Sequence, residues 1–284
     1  MSPRQKLLQH LSWRAGFGDP LPDEGKSIQE VVVDLLKAND KAPERISAPQ
    51  SKTLLTLSPP GKEADVVAQK AYRRQRSNLN RTGIRNLNES WLQEMFAGDC
   101  PLREKMALFW HGHFACRIQN VNHQEQLLQI IREQAVGNFG TLLINVSKSA
   151  AMLQFLNNQK NKKAHPNENF GREVMELFTM GRGNYTERDV KEGSRAFTGW
   201  SFTKEGDFIL RKKFHDEGQK TFLGKTGLFS GEEVLGMLLD HKATARHITG
   251  KLYGFLVNDQ PDEKRINLLA DKFYQANYDI KTLL

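Results

Sequence analysis

Cysteine is nearly missing from this chain. Cys100 and Cys116 are the two in 284 residues, too few for a disulfide framework and without the Cys-x-x-Cys spacing of a zinc knuckle. Both read as small buried hydrophobes. No apolar run reaches the roughly 18 residues that a membrane-spanning helix needs. The stretch Met1 to His10 carries charge but no apolar core, so no secretory signal is visible. Localisation is therefore unknown, cytoplasmic by default, with export left open. There is no Gly-x-Ser-x-Gly elbow, Walker A loop, His-Glu-x-x-His pair or dinucleotide fingerprint. Those absences argue against the common serine-hydrolase and nucleotide-binding classes. No internal repeat and no low-complexity linker divides the chain.

What is present is the composition of a soluble globular protein, 38% apolar and 26% charged, in a length that suits one large domain or two modest ones. The net charge of +8 is compatible with an anionic partner, whether nucleic acid, phospholipid or acidic polysaccharide. The basic runs Arg73-Arg74-Gln75-Arg76, Lys160-Asn161-Lys162-Lys163 and Arg211-Lys212-Lys213 are not interleaved with aromatics in a nucleic-acid motif. They read as solvated surface, and nucleic acid is not the expected partner.

Periodicity predicts a mainly α fold, a single multi-helix domain with a small β-hairpin insertion around residues 201–214. A first helix holding Leu7, Leu8, Leu11 and Trp13 should stop at Gly16 and Gly18. Ser27 and Glu30 have the spacing of a capping box. Residues 39–60 hold four prolines and are expected to be an extended loop. A long polar helix follows from Lys62 to about Phe96, with Gly83 as a candidate break. Pro101 is placed as the first residue of the next helix. Residues 123–136 and 139–157 should be two more helices. Pro166 opens the Asn-Glu-Asn helix, which Gly181 and Gly183 close. Thr186 caps another, with Asp189 three residues on. Ser201-Phe202-Thr203 and Phe208-Ile209-Leu210 flank Glu205-Gly206-Asp207 as the hairpin. Helices resume at 231–239, 243–257 and 262–276.

The densest chemistry lies in Asn167-Glu168-Asn169-Phe170-Gly171-Arg172-Glu173-Val174-Met175-Glu176-Leu177. At about 100° per residue, Arg172, Glu173 and Glu176 fall within roughly 60° of Asn169. Phe170, Val174, Leu177 and Phe178 gather on another face. Glu173 and Glu176 are close enough to act as acid and base if burial separates their pKa values, or to ligate a hard cation. A solvated Glu–Arg lattice is the plainer alternative. His111 and His113 flank Gly112. Two residues apart on a helix they diverge by about 200°, but at a helix end or on a strand they could share a divalent metal. His215 and Asp216 with Lys220 offer base, carboxylate and cation in one polar loop.

These motifs resemble the bacterial domain of unknown function 1800 family. The resemblance is carried by Leu102-Arg103-Glu104-Lys105-Met106 and Phe109-Trp110-His111-Gly112-His113-Phe114, and by Asn167-Glu168-Asn169 with Arg172, Glu173, Glu176 and Leu177. Tyr185-Thr186-Glu187 with Asp189 and Val190, then Arg195 and Thr198-Gly199-Trp200, extend it. His215-Asp216 with Gly218, Lys220, Leu223 and Gly224 completes it, and His10 to Gly18 matches the family's opening. The resemblance implies a mostly helical bacterial protein of unestablished activity, often encoded beside a protein of the alkaline-phosphatase and sulfatase type. Gly171 stands where the family more often has alanine. Family members continue to a Pro-Pro-Asn-Val-x-Gly-Trp block lacking here, so the chain is expected to be incomplete at its C-terminus.

Two functions follow as expectations. One is a metal-assisted hydrolase with Glu173, Glu176, Asp216 and His215 catalytic, and Asn169, Arg172, Arg195 and Lys220 binding an anionic substrate. In that enzyme His111 and His113 hold the metal. The other is a non-catalytic envelope or polysaccharide-associated partner protein, in which the same residues form a structural network between helices. Convergence of the side chains on one open pocket would favour the first, and closed pairing the second.

Overall fold

Capping chemistry sets most of the helix starts. A computed structural model describes residues 2–17, 25–61 and 63–284. Ser2 caps α1 (Pro3–Ala15) and Ser27 caps α2 (Ile28–Lys37), each in a reciprocal box with the glutamine or glutamate three residues on. Gly16 ends α1 as expected, while Gly18 and Lys62 lie outside the described residues. Pro101 is the first residue of α5 (Pro101–His113). Asn120 caps α6 (Val121–Gln134) and Asn138 caps α7 (Phe139–Lys148).

The stretch 39–60 is not wholly extended. It holds α3 (Pro49–Thr56), whose first residue is Pro49, and the end of a short 3₁₀ turn, Ala38–Asp40. Proline fixes a helical φ and needs no partner for its missing N–H, so it starts this helix rather than preventing it. α4 (Val66–Ala97) runs unbroken through Gly83. Glycine is there for space: a Cβ would stand 3.1 Å from the Val121 side chain. Residues 139–157 form two helices, because Ser149 turns extended and caps α8 (Ala150–Phe155) by accepting from the Met152 amide.

The Asn-Glu-Asn helix is short. α9 (Asn169–Glu173) widens directly into a π turn, Val174–Phe178. That changes the phase of the stripe: Leu177, expected inside, is 44% exposed, while Val174, Met175 and Phe178 are buried. Thr186 and Asp189 cap α10 (Glu187–Ala196) reciprocally. The hairpin forms as β1 (Trp200–Phe202) and β2 (Phe208–Leu210), with Phe202 opposite Phe208.

A second hairpin, β3 (Lys220–Phe222) and β4 (Lys225–Gly227), stands in the stretch read as polar loop and unassigned chain. Its two-residue turn puts both Leu223 and Gly224 at positive φ, the twist that two-residue hairpins need. The chain ends in α11 (Gly231–Asp240), α12 (Lys242–Leu256), α13 (Glu263–Gln275) and α14 (Ile280–Leu283). The fold is mainly α, one domain with two small antiparallel hairpins among the described residues.

One apolar core runs from Leu87 and Trp91 of α4 through Trp110, Phe139, Phe170, Phe197 and Phe222 to Phe273. Inside it lies an ion pair. Arg132, with a side chain 0% exposed, meets Glu104, 1% exposed, through Nε and Nη2 at 2.9–3.0 Å. Trp91 Nε1 donates to the same carboxylate at 2.8 Å and Glu94 accepts from Arg132 at 3.1 Å. A pair so fully bonded fixes the register of α4, α5 and α6, and losing either partner would strand a buried charge.

Candidate functional site

The polar residues of α9, α10 and the 215–220 loop fall into two groups. The first surrounds the π turn. Arg172 makes a two-point ion pair with Glu187, at 2.8 and 2.7 Å, and reaches Glu168 at 3.4 Å. Glu176 accepts from the Arg182 guanidinium and from the Tyr185 hydroxyl, the latter at 2.8 Å. Arg182, then Tyr185, hold the Glu176 carboxyl below its ordinary pKa. Burial, then the bond to Glu176, pushes the Tyr185 hydroxyl up to about 12.

Glu173 differs from its neighbours. It is half-buried and makes no hydrogen bond or ion pair among the described residues. Burial first, and the Glu176 charge second, raise its pKa. The expected carboxylate pair therefore exists as two unlike groups, one paired with its pKa lowered, one unpaired with its pKa raised.

The second group is a brace between α10 and the loop after β2. Asp189, Glu192 and Arg195 recur every three residues along one face of α10. Arg195 grips Asp216 with Nε to Oδ2 at 2.8 Å and Nη2 to Oδ1 at 3.2 Å, and its Nη1 reaches Glu192 at 2.8 Å. Glu192 also accepts the Thr221 amide at 3.0 Å, and Asp189 accepts the Leu223 amide at 2.8 Å. Thr198 joins both sides, donating to the Arg195 carbonyl at 2.6 Å and accepting the Asp216 amide at 2.8 Å. The His215 ring contacts the Thr198 carbonyl through Nδ1 at 2.8 Å. Gly199 has φ +78° and no room for a Cβ, which would lie 2.8 Å from the Arg211 carbonyl.

Lys220 is 1% exposed, and its ammonium donates to the carbonyls of Asp216 and Gly218 at 2.6 and 3.0 Å. Burial lowers its pKa, while the Arg195 bond lowers that of Asp216. The cation expected to hold a substrate anion is thus sealed against backbone oxygens.

The asparagines are braces too. Asn169 donates to the Leu156 carbonyl at 3.3 Å rather than facing a substrate. Asn161 donates to the Ser194 carbonyl at 2.9 Å and accepts the Asn167 amide at 2.8 Å, while Asn158 donates to the Phe197 carbonyl at 3.1 Å. Sequence reasoning gave no role to Asn158, Asn161, Thr198, Glu192, Tyr185 and Arg182, though Tyr185 and Thr198 stand in the motifs that carry the resemblance. The three-residue rhythm of Asp189, Glu192 and Arg195 was the available signal for Glu192. The others act through partners set by the tertiary fold.

The two histidines do not share a site. α5 stays helical through His113, so the rings diverge. His111 packs at a tilt against Trp91, with ring centroids 5.3 Å apart. His113 is buried among Phe109, Trp110, Phe114, Phe139 and Phe178. Its Nε2 meets the Phe178 carbonyl at 3.2 Å, and Lys251 Nζ lies 3.3 Å from Nδ1. Burial pulls its pKa down to about 3. Among the described residues no three His, Cys, Asp or Glu side chains are grouped to hold a metal. His111 and His113, facing apart, do not fit one resident divalent ion.

Among the described residues are five cavities of about 230 to 680 Å³, and of the ten side chains singled out from the sequence His111 alone lines one of these five. Three of the five lie along α4. Residues 10–284 match a family described as protein of unknown function (DUF1800). No curated protein and no solved structure matches the chain.

Proposed function

The chain belongs to the DUF1800 family of proteins of unknown function, and from that premise we propose that it is a non-catalytic partner protein of the envelope- or polysaccharide-associated kind. In this proposal the polar motifs hold helices together. One observation carries it: Arg195 and Asp216, expected to act on a substrate, saturate each other while Lys220 is spent on backbone carbonyls. Groups already bonded in a closed network gain little by meeting a substrate and lose much by letting go. A sulfatase- or alkaline-phosphatase-like protein is the partner that the resemblance implies.

A second function, the metal-assisted hydrolase, keeps one specific observation in its favour. Glu173 is unpaired with its pKa raised, beside Glu176 with its pKa lowered, the direction of asymmetry that acid–base pairs use. Elemental analysis of protein purified without chelator separates the two. The partner-protein proposal expects well under one divalent metal per chain, the same in Glu173→Gln. One equivalent per chain that Glu173→Gln loses would overturn it.

A further inference from the structure

α4 is basic on a scale that its surroundings do not balance. From Val66 to Asn88 it carries six cations and no acid. Lys70, Arg73, Arg74, Arg76 and Arg81 have no carboxylate within 4.0 Å among the described residues, and the one ion pair in this stretch is Arg85 with Glu89 at 3.9 Å.

Three cavities lie along this helix, and two of them join. One, about 530 Å³, is bounded by Tyr72, Arg73 and Arg76 of α4, Gln159 beyond α8, and Phe202 and Lys204 of the first hairpin. The other, about 680 Å³, is bounded by Arg81 and Asn88, by His111 and by Arg117. Ser77, Asn80 and Gln119 line both, so they form one continuous trough. Each alone falls within the ~300–1,000 Å³ of a small-ligand site, which makes room for an extended ligand. No aspartate or glutamate lines either.

We infer that this trough is a binding site for an acidic polysaccharide, a chain of sugar rings bearing carboxylate or sulfate groups. Five cations, Arg73, Arg76, Arg81, Arg117 and Lys204, border it, and guanidinium forks suit planar or tetrahedral oxyanions. Between them stand side-chain amides, which bond to hydroxyls as donor and acceptor. Gln159 borders the trough, and its Oε1 is closed to solvent with no hydrogen-bond partner, so a turn of the side chain is what brings it to a ligand. An orphaned acceptor wants a donor. Sugar hydroxyls supply one, and a phosphodiester backbone does not. The aromatics also favour a glycan over single-stranded nucleic acid. Tyr72 and Phe202 are half-buried, and Phe202 is already engaged edge-on with His123, so there is no row of open rings on which bases would stack.

The inference goes beyond the proposed function by naming a ligand class and its place, and uses none of the residues of the α10 brace. Metal found by elemental analysis would leave it standing, and its own failure would leave the brace standing.

Four probes at equal concentration test it on the full chain by calorimetry: an oligogalacturonate, a heparin hexasaccharide, a neutral dextran oligomer, and a single-stranded oligonucleotide of matched charge. The trough variant is Arg73→Gln/Arg76→Gln/Arg81→Gln. The control is Arg211→Gln/Lys212→Gln/Lys213→Gln, with the same change in net charge. At least one acidic glycan should bind, and that glycan identifies carboxylate or sulfate as the favoured group. Dextran should bind at least about tenfold more weakly. The trough variant should lose about tenfold or more and show a flatter salt dependence, while the control stays within about twofold. Gln159→Ala should weaken glycan binding about threefold with the salt dependence unchanged. Absence of acidic-glycan binding, equal loss in the control, an unchanged affinity in Gln159→Ala, or oligonucleotide binding as tight as the better glycan would each overturn the inference.

Discussion

Arg195 holds Asp216 by two parallel contacts, Nε to Oδ2 at 2.8 Å and Nη2 to Oδ1 at 3.2 Å, across 21 residues of chain. The pair ties the last turn of α10 to the loop that leads into β3. The same aspartate orders its own loop by accepting the Gly218 amide at 2.9 Å.

Acid should loosen this brace. The Arg195 bond holds the Asp216 pKa below its ordinary value. A depressed carboxyl pKa adds stability that is full above the unfolded value, about 3.9, and is lost as pH falls through the folded value. Asp216→Asn should therefore lower the urea midpoint at pH 7 and narrow its gap from the parent as pH drops below about 4. A gap that stays constant from pH 7 to pH 3 would count against this.

Glu173 should behave in the opposite sense. Its pKa is raised by burial and by Glu176, so its ionisation opposes folding once pH exceeds the unfolded value of about 4.3. Glu173→Gln should leave stability at pH 3.5 nearly unchanged and raise it at pH 7. Thermal unfolding at the two pH values measures this, and a loss of stability at pH 7 would show a contact that the carboxylate makes.

His113 gives a third pH window. Burial pulls its pKa to about 3 from an ordinary 6.5, so the unfolded chain binds the extra proton between those values. Stability attributable to His113 is full above about 6.5 and falls as pH drops toward 3, by up to about 1.4 kcal/mol per pH unit. His113→Gln should be less stable at pH 7 but show a shallower slope between pH 4 and 6 by about one proton. An unchanged slope would mean that His113 does not titrate with unfolding.

Gly171 and Ser194 should be coupled. A Cβ on residue 171 would stand 2.3 Å from Ser194 Oγ, a buried hydroxyl oxygen with no hydrogen-bond partner. Gly171→Ala should cost about 1–3 kcal/mol through overpacking. Ser194→Ala alone should be near neutral, because the hydroxyl bonds nothing. Together they should recover at least about 1 kcal/mol of the loss. Additive losses in chemical denaturation would contradict the packing seen here.

Features governed by neighbouring residues were legible in the sequence. The Ser27–Glu30 and Thr186–Asp189 boxes, Pro101 at its helix start and the Glu205-Gly206-Asp207 turn all rest on contacts within a few residues. The π turn after Glu173 was not legible, since the chain there has ordinary helical composition, and it moved Leu177 outward. The second hairpin was hidden because its turn puts a leucine, Leu223, at positive φ, while Asp189 of α10 bonds that residue's amide. Of the candidate site, the residues singled out could be read from the sequence, but their partners in the fold could not. Whether Lys220 faces a ligand or the Asp216 carbonyl depends on how α10 meets the loop, which spacing along the chain does not encode.

The most direct measurement of the central claim, that the motif residues brace the fold, is a double-mutant cycle on Arg195→Met and Asp216→Leu by urea unfolding at pH 7. A brace predicts that each single variant loses about 2–3 kcal/mol, by stranding a partly buried charge, and that the double variant loses less than the sum by about 2 kcal/mol. Single losses under about 0.5 kcal/mol, adding without coupling, would contradict it.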